Sequence, residues 1–128
     1  MIEIKRICEP PSADDGHRVF VDRVWPRVAF KEVAKLDDWM KDVTPSPKLR
    51  IWFDHDPKRP LEFKLQYLFE LKGAVRNACV SELKERGLTG TLTLLFAAKD
   101  DRHKHAHPPG NSSARTELIK FHQSRHKL

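Results

Sequence analysis

The sequence predicts an α/β fold: a single compact domain with a small, mainly parallel sheet flanked by helices. Residues 91–98 are apolar at nearly every position, as expected of a central strand that is covered on both faces. Segments with helical spacing of apolar residues stand between the predicted strands, so helices would serve as the crossovers of a parallel sheet. The length of 128 residues is typical of one domain with one core.

Two strands are predicted near the amino terminus. Isoleucines recur through residues 2–7 and indicate the first strand. Residues 18–24 are rich in β-branched and aromatic side chains and form the second, which must end before Pro26 because proline lacks an amide donor. Asp22 would lie on the same side of this strand as Phe20, so the sequence places an acid where it needs a partner.

Helices are predicted for most of the chain between the second strand and the last. Apolar spacing predicts an amphipathic helix over residues 31–43. Ser46 before Pro47 predicts an N-cap and the first turn of a short helix, and Asp56 before Pro57 predicts the same arrangement for the next helix.

Three more helical segments are defined by the residues expected to be buried. The helix after Pro57 would bury Leu61, Leu65, Leu68 and Phe69. A helix over residues 74–86 would bury Val75, Ala78, Cys79 and Leu83, and Gly87 would end it. A last helix over residues 115–123 would be anchored by Leu118, Ile119 and Phe121. Together these segments supply the helical layer of the predicted fold.

Charge is distributed unevenly along the chain. The formal net charge is +6, and from residue 99 onward seven Lys or Arg residues stand against three acids. We therefore expect a mobile basic C-terminal segment from about residue 104. Such a segment could attract phosphates or nucleic acid, and it could equally be a solvated surface.

The composition excludes several classes of protein. The longest apolar run is far shorter than a membrane-spanning helix, and the amino terminus has no apolar signal core. Cys8 and Cys79 lie far apart and form no metal-finger spacing. The sequence therefore predicts a cytoplasmic protein without a membrane partner.

Polar side chains follow two of the predicted strands, at the edge where ligands bind in open α/β sheets. The residues after the second strand are Asp22, Arg23, Trp25 and Arg27, and those after the last strand are Lys99, Asp100 and His103. Arginine recognises phosphate and carboxylate groups through its planar fork, which makes Arg23 and Arg27 candidate ligands for a phosphate. His103 and Asp22 are the candidate catalytic residues, because both could transfer a proton. The alternative is a buried Asp–Arg pair that only fixes a strand end.

A metal site is a weaker hypothesis. His103, His105 and His107 would share one side of an extended chain and could bind a transition metal, although the neighbouring lysine and arginine repel cations. Signatures of a P-loop, a dinucleotide fingerprint or a serine triad are absent from the sequence. No cofactor, reaction or oligomeric state follows from these observations.

Three segments resemble one known family. Residues 21–27 (VDRVWPR), 49–57 (LRIWFDHDP) and 94–103 (LLFAAKDDRH) together resemble the YeaO-like branch of the bacterial and archaeal proteins called domain of unknown function 488. The resemblance implies a compact α/β fold in a prokaryotic intracellular protein, and it implies no settled activity. It also implies a site made by Asp22, Arg23, Pro26 and Arg27 with His103.

The chain departs from the family pattern in two places. Val28 stands where a glycine is expected after the WPR segment, and residues 104–110 replace a shorter polar connection. The leading hypothesis is a cleft that binds a phosphorylated small molecule or nucleotide, with the question of catalysis left open. The alternative is a nucleic-acid-associated or regulatory module that binds through the basic tail.

Overall fold

The sheet consists of four short strands, all parallel. They are β1 (Ile2–Arg6), β2 (His17–Phe20), β3 (Asp38–Trp39) and β4 (Leu92–Phe96), and they lie in the order β1-β4-β2-β3. The structure is a computed structural model, which describes residues 1–26, 34–97 and 113–124. Leu94 of β4 lies in register with Ile4 on one side and with Val19 on the other, so β4 is one of the two inner strands of the sheet.

β4 is buried at all five positions, as its continuous apolar run predicts. Alternate residues face two different clusters. Leu94 lies with Val19 in the larger cluster, and Leu95 lies with Phe20 in a smaller one on the other face. The sheet therefore separates two apolar layers, and the residues at its strand ends are held in place from both sides.

Four helices among the described residues pack against the larger cluster. They are α1 (Pro47–His55), α2 (Pro60–Leu71), α3 (Ala74–Thr89) and α4 (Ala114–Ser124). Their buried contributions include Phe53 of α1, Phe63 and Tyr67 of α2, Leu83 of α3 and Leu118 of α4. The predicted α/β fold with a parallel sheet flanked by helices is confirmed. None of these described helices is both long and apolar enough to span a bilayer.

The start of α1 forms as the sequence predicts. The Ser46 hydroxyl accepts a hydrogen bond from the Leu49 amide at 3.1 Å, and Pro47 occupies the first helical position. The Glu70 carboxylate of α2 accepts from the Ser46 amide at 2.9 Å and also from its hydroxyl. The cap therefore also ties α1 to α2.

The helix predicted over residues 31–43 is wrong from Lys35 onward, since Ala34 alone of its described residues is α-helical. Lys35 has a φ of 49°, a left-handed conformation that ends any helix at that point. The chain then extends into β3, where the Met40 amide donates to the Phe20 carbonyl at 2.9 Å, and a short 3₁₀ turn follows at Lys41–Val43. Hydrogen bonds to β2 outweigh the helical spacing of the apolar residues. Residues 27–33 lie outside the described part of the chain.

Two predicted boundaries move. The second strand ends at Phe20 instead of Val24, although the Val21 amide still donates to the Leu95 carbonyl. Asp56 is the C-cap of α1 and not the N-cap of α2, because a turn intervenes and Pro60 takes the first position of α2. Pro47 and Pro60 therefore begin α1 and α2, and Pro57 lies in the turn between these helices.

The buried face of α2 is not the predicted one. Leu61, Leu65 and Phe69 are exposed, whereas Phe63, Tyr67 and Leu71 face the core and Leu68 is partly buried. Both sets repeat at four-residue spacing, so α2 is apolar on two opposite faces. The face with two aromatic rings fills the larger cluster.

α3 continues past its predicted end at Arg86 to Thr89, with Gly90 as its C-cap. Gly87 lies inside the helix, where an added Cβ would come within 2.9 Å of the Ile2 side chain. The glycine thus permits a close approach of α3 to β1 instead of ending the helix. Leu83 is buried as predicted, while Val75 and Ala78 are exposed.

The last helix is confirmed, with Leu118, Ile119 and Phe121 all buried. Most of the basic segment predicted from residue 104 lies outside the described residues, up to residue 112 and again after residue 124. α4 itself belongs to the core, so it is an integral part of the domain.

Candidate functional site

A pocket of about 440 Å³ opens at the carboxyl end of β2. Four separate segments of the chain supply its walls: the residues after β2, the turn before α1, one face of α1, and α4. The lining residues are Asp22, Arg23, Val24, Thr44, Pro45, Pro47, Arg50, Ile51, Asp54 and His122. The volume lies in the range of small-molecule sites.

Asp22 is buried, at 4% exposure, and its carboxylate bonds to the backbone on two strand ends. One oxygen accepts from the Arg23 amide at 3.0 Å, and the other accepts from the Ala97 amide at 3.4 Å. The Asp22 carbonyl accepts from the indole of Trp39 at 2.7 Å. These bonds explain an acid at the end of an apolar strand: Asp22 joins the chain after β2 to the chain after β4.

Arg23 follows directly and is half-buried. Its Nε is enclosed by the protein, yet it has no hydrogen-bond acceptor within residues 1–26, 34–97 and 113–124. No carboxylate of those residues forms an ion pair with the Arg23 guanidinium either. A buried cationic donor without an acceptor is costly, so an acceptor from a bound molecule would stabilise it.

Arg50 supplies the second cation from α1. One terminal nitrogen donates to the His122 carbonyl at 3.1 Å, and its Nε lies 3.6 Å from the Asp54 carboxylate. The guanidinium also lies over the rings of Phe53 and Phe63, at 5.6 and 5.2 Å from the ring centroids. These contacts fix the position of Arg50 at the pocket and connect α1 to α4.

His122 is buried at 1% exposure on α4. Its Nε2 lies 3.3 Å from the Val21 carbonyl, and its ring packs edge-on against Tyr67 at 5.8 Å between centroids. Burial raises the pKa of Tyr67 above its ordinary value, so the hydroxyl stays protonated and donates to the Val43 carbonyl. The wall around His122 is therefore a rigid, hydrogen-bonded surface.

Trp25 lies away from the pocket lining. Its ring packs with Phe20 at 4.9 Å and with Trp39 at 5.5 Å between centroids, against the smaller core cluster. This aromatic group holds the chain after β2 on the sheet and so positions the neighbouring Arg23.

The sequence-predicted site is only partly within the described residues. Asp22 and Arg23 line the pocket as neighbours, and Trp25 supports them from the other face of the sheet. The predicted residues that lie outside the described ranges are Arg27, Lys99, Asp100, His103, His105 and His107. The second wall of the cleft and the histidine metal site thus stay predictions. Within the ranges described, no three potential metal ligands come together.

Sequence reasoning missed Arg50, Asp54 and His122. Arg50 and Asp54 stand four residues apart, a spacing that places them on one helical face beside the resembling segment 49–57. His122 stands four residues after Leu118, in phase with the apolar anchors of α4, which is a signal of burial. Neither signal by itself points to a pocket.

Comparisons with known proteins agree on one family. Residues 1–108 match the model of a family described as the inactive DUF488-N3 subclade. The uncharacterised protein YeaO of Escherichia coli K12 is 37% identical over 105 residues, which are 82% of this chain and 90% of that protein. The uncharacterised protein Rv3073c of Mycobacterium tuberculosis H37Rv is 35% identical over 105 residues, 82% of this chain and 86% of the relative. No solved structure matches the chain significantly. The protein therefore belongs to the inactive DUF488-N3 subclade and is a YeaO-like member of the DUF488 family.

Proposed function

We propose that this protein binds a small phosphate-bearing molecule in the pocket after β2, and that it does so without catalysing a reaction. The observation that carries the proposal is the enclosed Nε of Arg23, which has no acceptor among the described residues. A phosphate oxygen is a strong acceptor for an arginine N–H and would satisfy that atom.

The charges around the pocket favour an anion at Arg23. Both oxygens of Asp22 accept backbone amides, so its negative charge is stabilised without the Arg23 side chain. Asp54 lies beside Arg50 and offsets that cation instead. Arg23 is thus the cation of the pocket whose charge the described carboxylates leave uncompensated.

The family description supports binding over catalysis, because it names the subclade inactive. In this proposal Asp22 orders the chain around Arg23, which is a positioning role. The proton-transfer roles predicted for Asp22 and His103, and the phosphate contact predicted for Arg27, remain separate predictions.

The proposal is tested by isothermal titration of the protein with ribose 5-phosphate, a simple phosphate monoester. We expect Arg23→Gln to weaken binding by about 10- to 100-fold, because a hydrogen bond to a charged group contributes roughly 1.5–3 kcal/mol. Arg86→Gln is the matched control: Arg86 pairs with Glu82 on the exposed surface of α3, far from the pocket lining.

Equal loss of affinity in both variants would indicate a general effect of net charge and would contradict the proposal. So would binding that Arg23→Gln leaves unchanged.

The nucleic-acid alternative stays a prediction. Two of its basic residues, Arg115 and Lys120, are exposed on α4, and most of the others lie outside the described residues.

A further inference from the structure

We infer that the ligand of this pocket is a free mononucleotide. The inference rests on the proposed function and names the class of ligand. It depends on three features of the lining that differ in chemistry: a cation whose Nε has no acceptor among the described residues, an exposed apolar rim, and a carboxylate to which no described residue donates a hydrogen bond.

The apolar rim is formed by Val24 and Ile51. These side chains are 71% and 58% exposed, although both are large and apolar, and they come from two segments, the chain after β2 and α1. Pro45 and Pro47 add apolar ring surface to the same lining. A flat, weakly polar group such as a nucleobase would cover this rim and remove it from water.

Asp54 supplies the third feature. Its side chain is 21% exposed, its carboxylate accepts no hydrogen bond from the described residues, and the Nε of Arg50 lies 3.6 Å away. An ionised carboxylate can only accept hydrogen bonds, so a ligand that contacts Asp54 must bring a hydrogen-bond donor. The hydroxyls of a ribose or the amino group of a base are donors of this kind.

Other anionic ligands meet fewer of these requirements. Inorganic phosphate and sugar phosphates leave the apolar rim uncovered, and fatty or aromatic acids bring no donor to Asp54. A mononucleotide carries a phosphate for Arg23, a base for the rim at Val24 and Ile51, and donors for Asp54, and it fits a pocket of about 440 Å³.

The test compares the 5′-monophosphates of adenosine, guanosine, cytidine and uridine with ribose 5-phosphate and with adenosine. We expect at least one monophosphate to bind about tenfold or more tightly than ribose 5-phosphate, because only the nucleotide covers the rim. Adenosine, which lacks the phosphate, should bind the wild-type protein as weakly as the nucleotides bind the Arg23→Gln variant.

Ile51→Ser should lower the affinity for the nucleotide until it approaches the affinity for ribose 5-phosphate. The affinity for ribose 5-phosphate itself should not change, because this molecule has no base to cover the rim. Leu61→Ser is the matched control, since Leu61 is 66% exposed on α2 outside the pocket lining. Circular dichroism would verify that both variants are folded, which we expect because both residues are on the surface.

The outcomes separate the two proposals. Binding of ribose 5-phosphate that depends on Arg23 and equals that of every nucleotide would overturn the nucleotide inference and leave the proposed function standing. Absence of any binding that depends on Arg23 would overturn both. If a single-stranded hexanucleotide binds more tightly than each monophosphate, the ligand is nucleic acid, and the inference of a free mononucleotide is overturned.

Discussion

The two ends of β2 carry the same pair of residue types, an aspartate and an arginine, in different hydrogen-bonding states. Asp15 and Arg18 lie at the start of the strand, and Asp22 and Arg23 lie just after its end. Asp15 and Asp22 are each only 4% exposed, so burial does not distinguish the two acids, whereas Arg18 is buried and Arg23 is half-buried. The hydrogen-bonding partners distinguish the two pairs.

At the start of β2 every charged group has a partner. Arg18 donates to Asp15 at 2.5 Å and places two further nitrogens on the Ala34 carbonyl, at 3.0 and 2.8 Å. Asp15 also accepts from Lys5 at 2.8 Å and from the Ser12 amide at 2.9 Å. This pair is therefore satisfied by protein groups alone.

After the end of β2 the aspartate and the arginine do not pair with each other through their side chains. Asp22 accepts backbone amides, whereas the Nε of Arg23 has no acceptor in the described residues. The difference teaches that an Asp–Arg doublet in a sequence does not determine how its members are hydrogen-bonded, and it makes the second pair, whose arginine lines an open pocket, the candidate for ligand binding.

The largest expected effect is the loss of stability in Asp15→Asn. We expect the free energy of unfolding to fall by about 3–5 kcal/mol, because the substitution leaves the Arg18 charge buried without its counterion. Urea unfolding at neutral pH measures this change.

Asp54→Asn is the matched substitution at the pocket, and we expect it to change the free energy of unfolding by no more than about 1 kcal/mol, because its ion pair is partly exposed. If Asp15→Asn and Asp54→Asn lower the free energy of unfolding by similar amounts, the cluster at the start of β2 and the pocket do not differ as described.

The second effect is on acid stability. Burial by itself would raise the pKa of Asp15, but hydrogen bonds from Lys5, Ser12 and Arg18 outweigh it and hold that pKa below its ordinary value. A carboxyl group with a lower pKa in the folded state stabilises the protein above its unfolded-state pKa and loses this contribution as the pH falls through the folded-state value.

We therefore expect the stability difference between the wild type and Asp15→Asn to be full near neutral pH and to shrink below about pH 4. Urea unfolding of both proteins across that range measures it. A difference that is constant with pH would mean that Asp15 acts through packing and not through its charge.

The smallest effect is expected for Arg23→Gln in the absence of ligand. The free energy of unfolding should change by less than about 0.5 kcal/mol or rise slightly, because an enclosed donor without an acceptor adds no stability. Thermal and urea unfolding of the ligand-free protein test this. A loss of several kcal/mol would show that Arg23 has a structural role like that of Arg18.

Several elements could be predicted because their signals are local. The uninterrupted apolar run of β4 identifies a central strand, and Ser46 before Pro47 identifies the start of α1. The helix predicted over residues 31–43 was wrong from Lys35 onward because β3 depends on hydrogen bonds to β2, a partner distant in sequence. Local periodicity contains no information about such a partner.

The same distinction between local and distant signals applies to the candidate site. Asp22 and Arg23 were identified because polar residues at the end of an apolar strand are anomalous in the sequence itself. Arg50, Asp54 and His122 were not, since each looks like an ordinary helical residue until the packing of α1 and α4 brings it to the strand end.

The sequence by itself determined the α/β class, the central strand and two of the residues that line the pocket, Asp22 and Arg23, since each depends on neighbouring residues. The tertiary structure decided the rest, and α2 shows the reason. Its two apolar faces have the same periodicity, and Phe63 and Tyr67 were selected over Leu65 and Phe69 because they fill the larger core cluster. Arg23 differs from Arg18 for the same reason: both follow an acid near an end of β2, and only their surroundings decide which one has its acceptors and which one faces an open pocket.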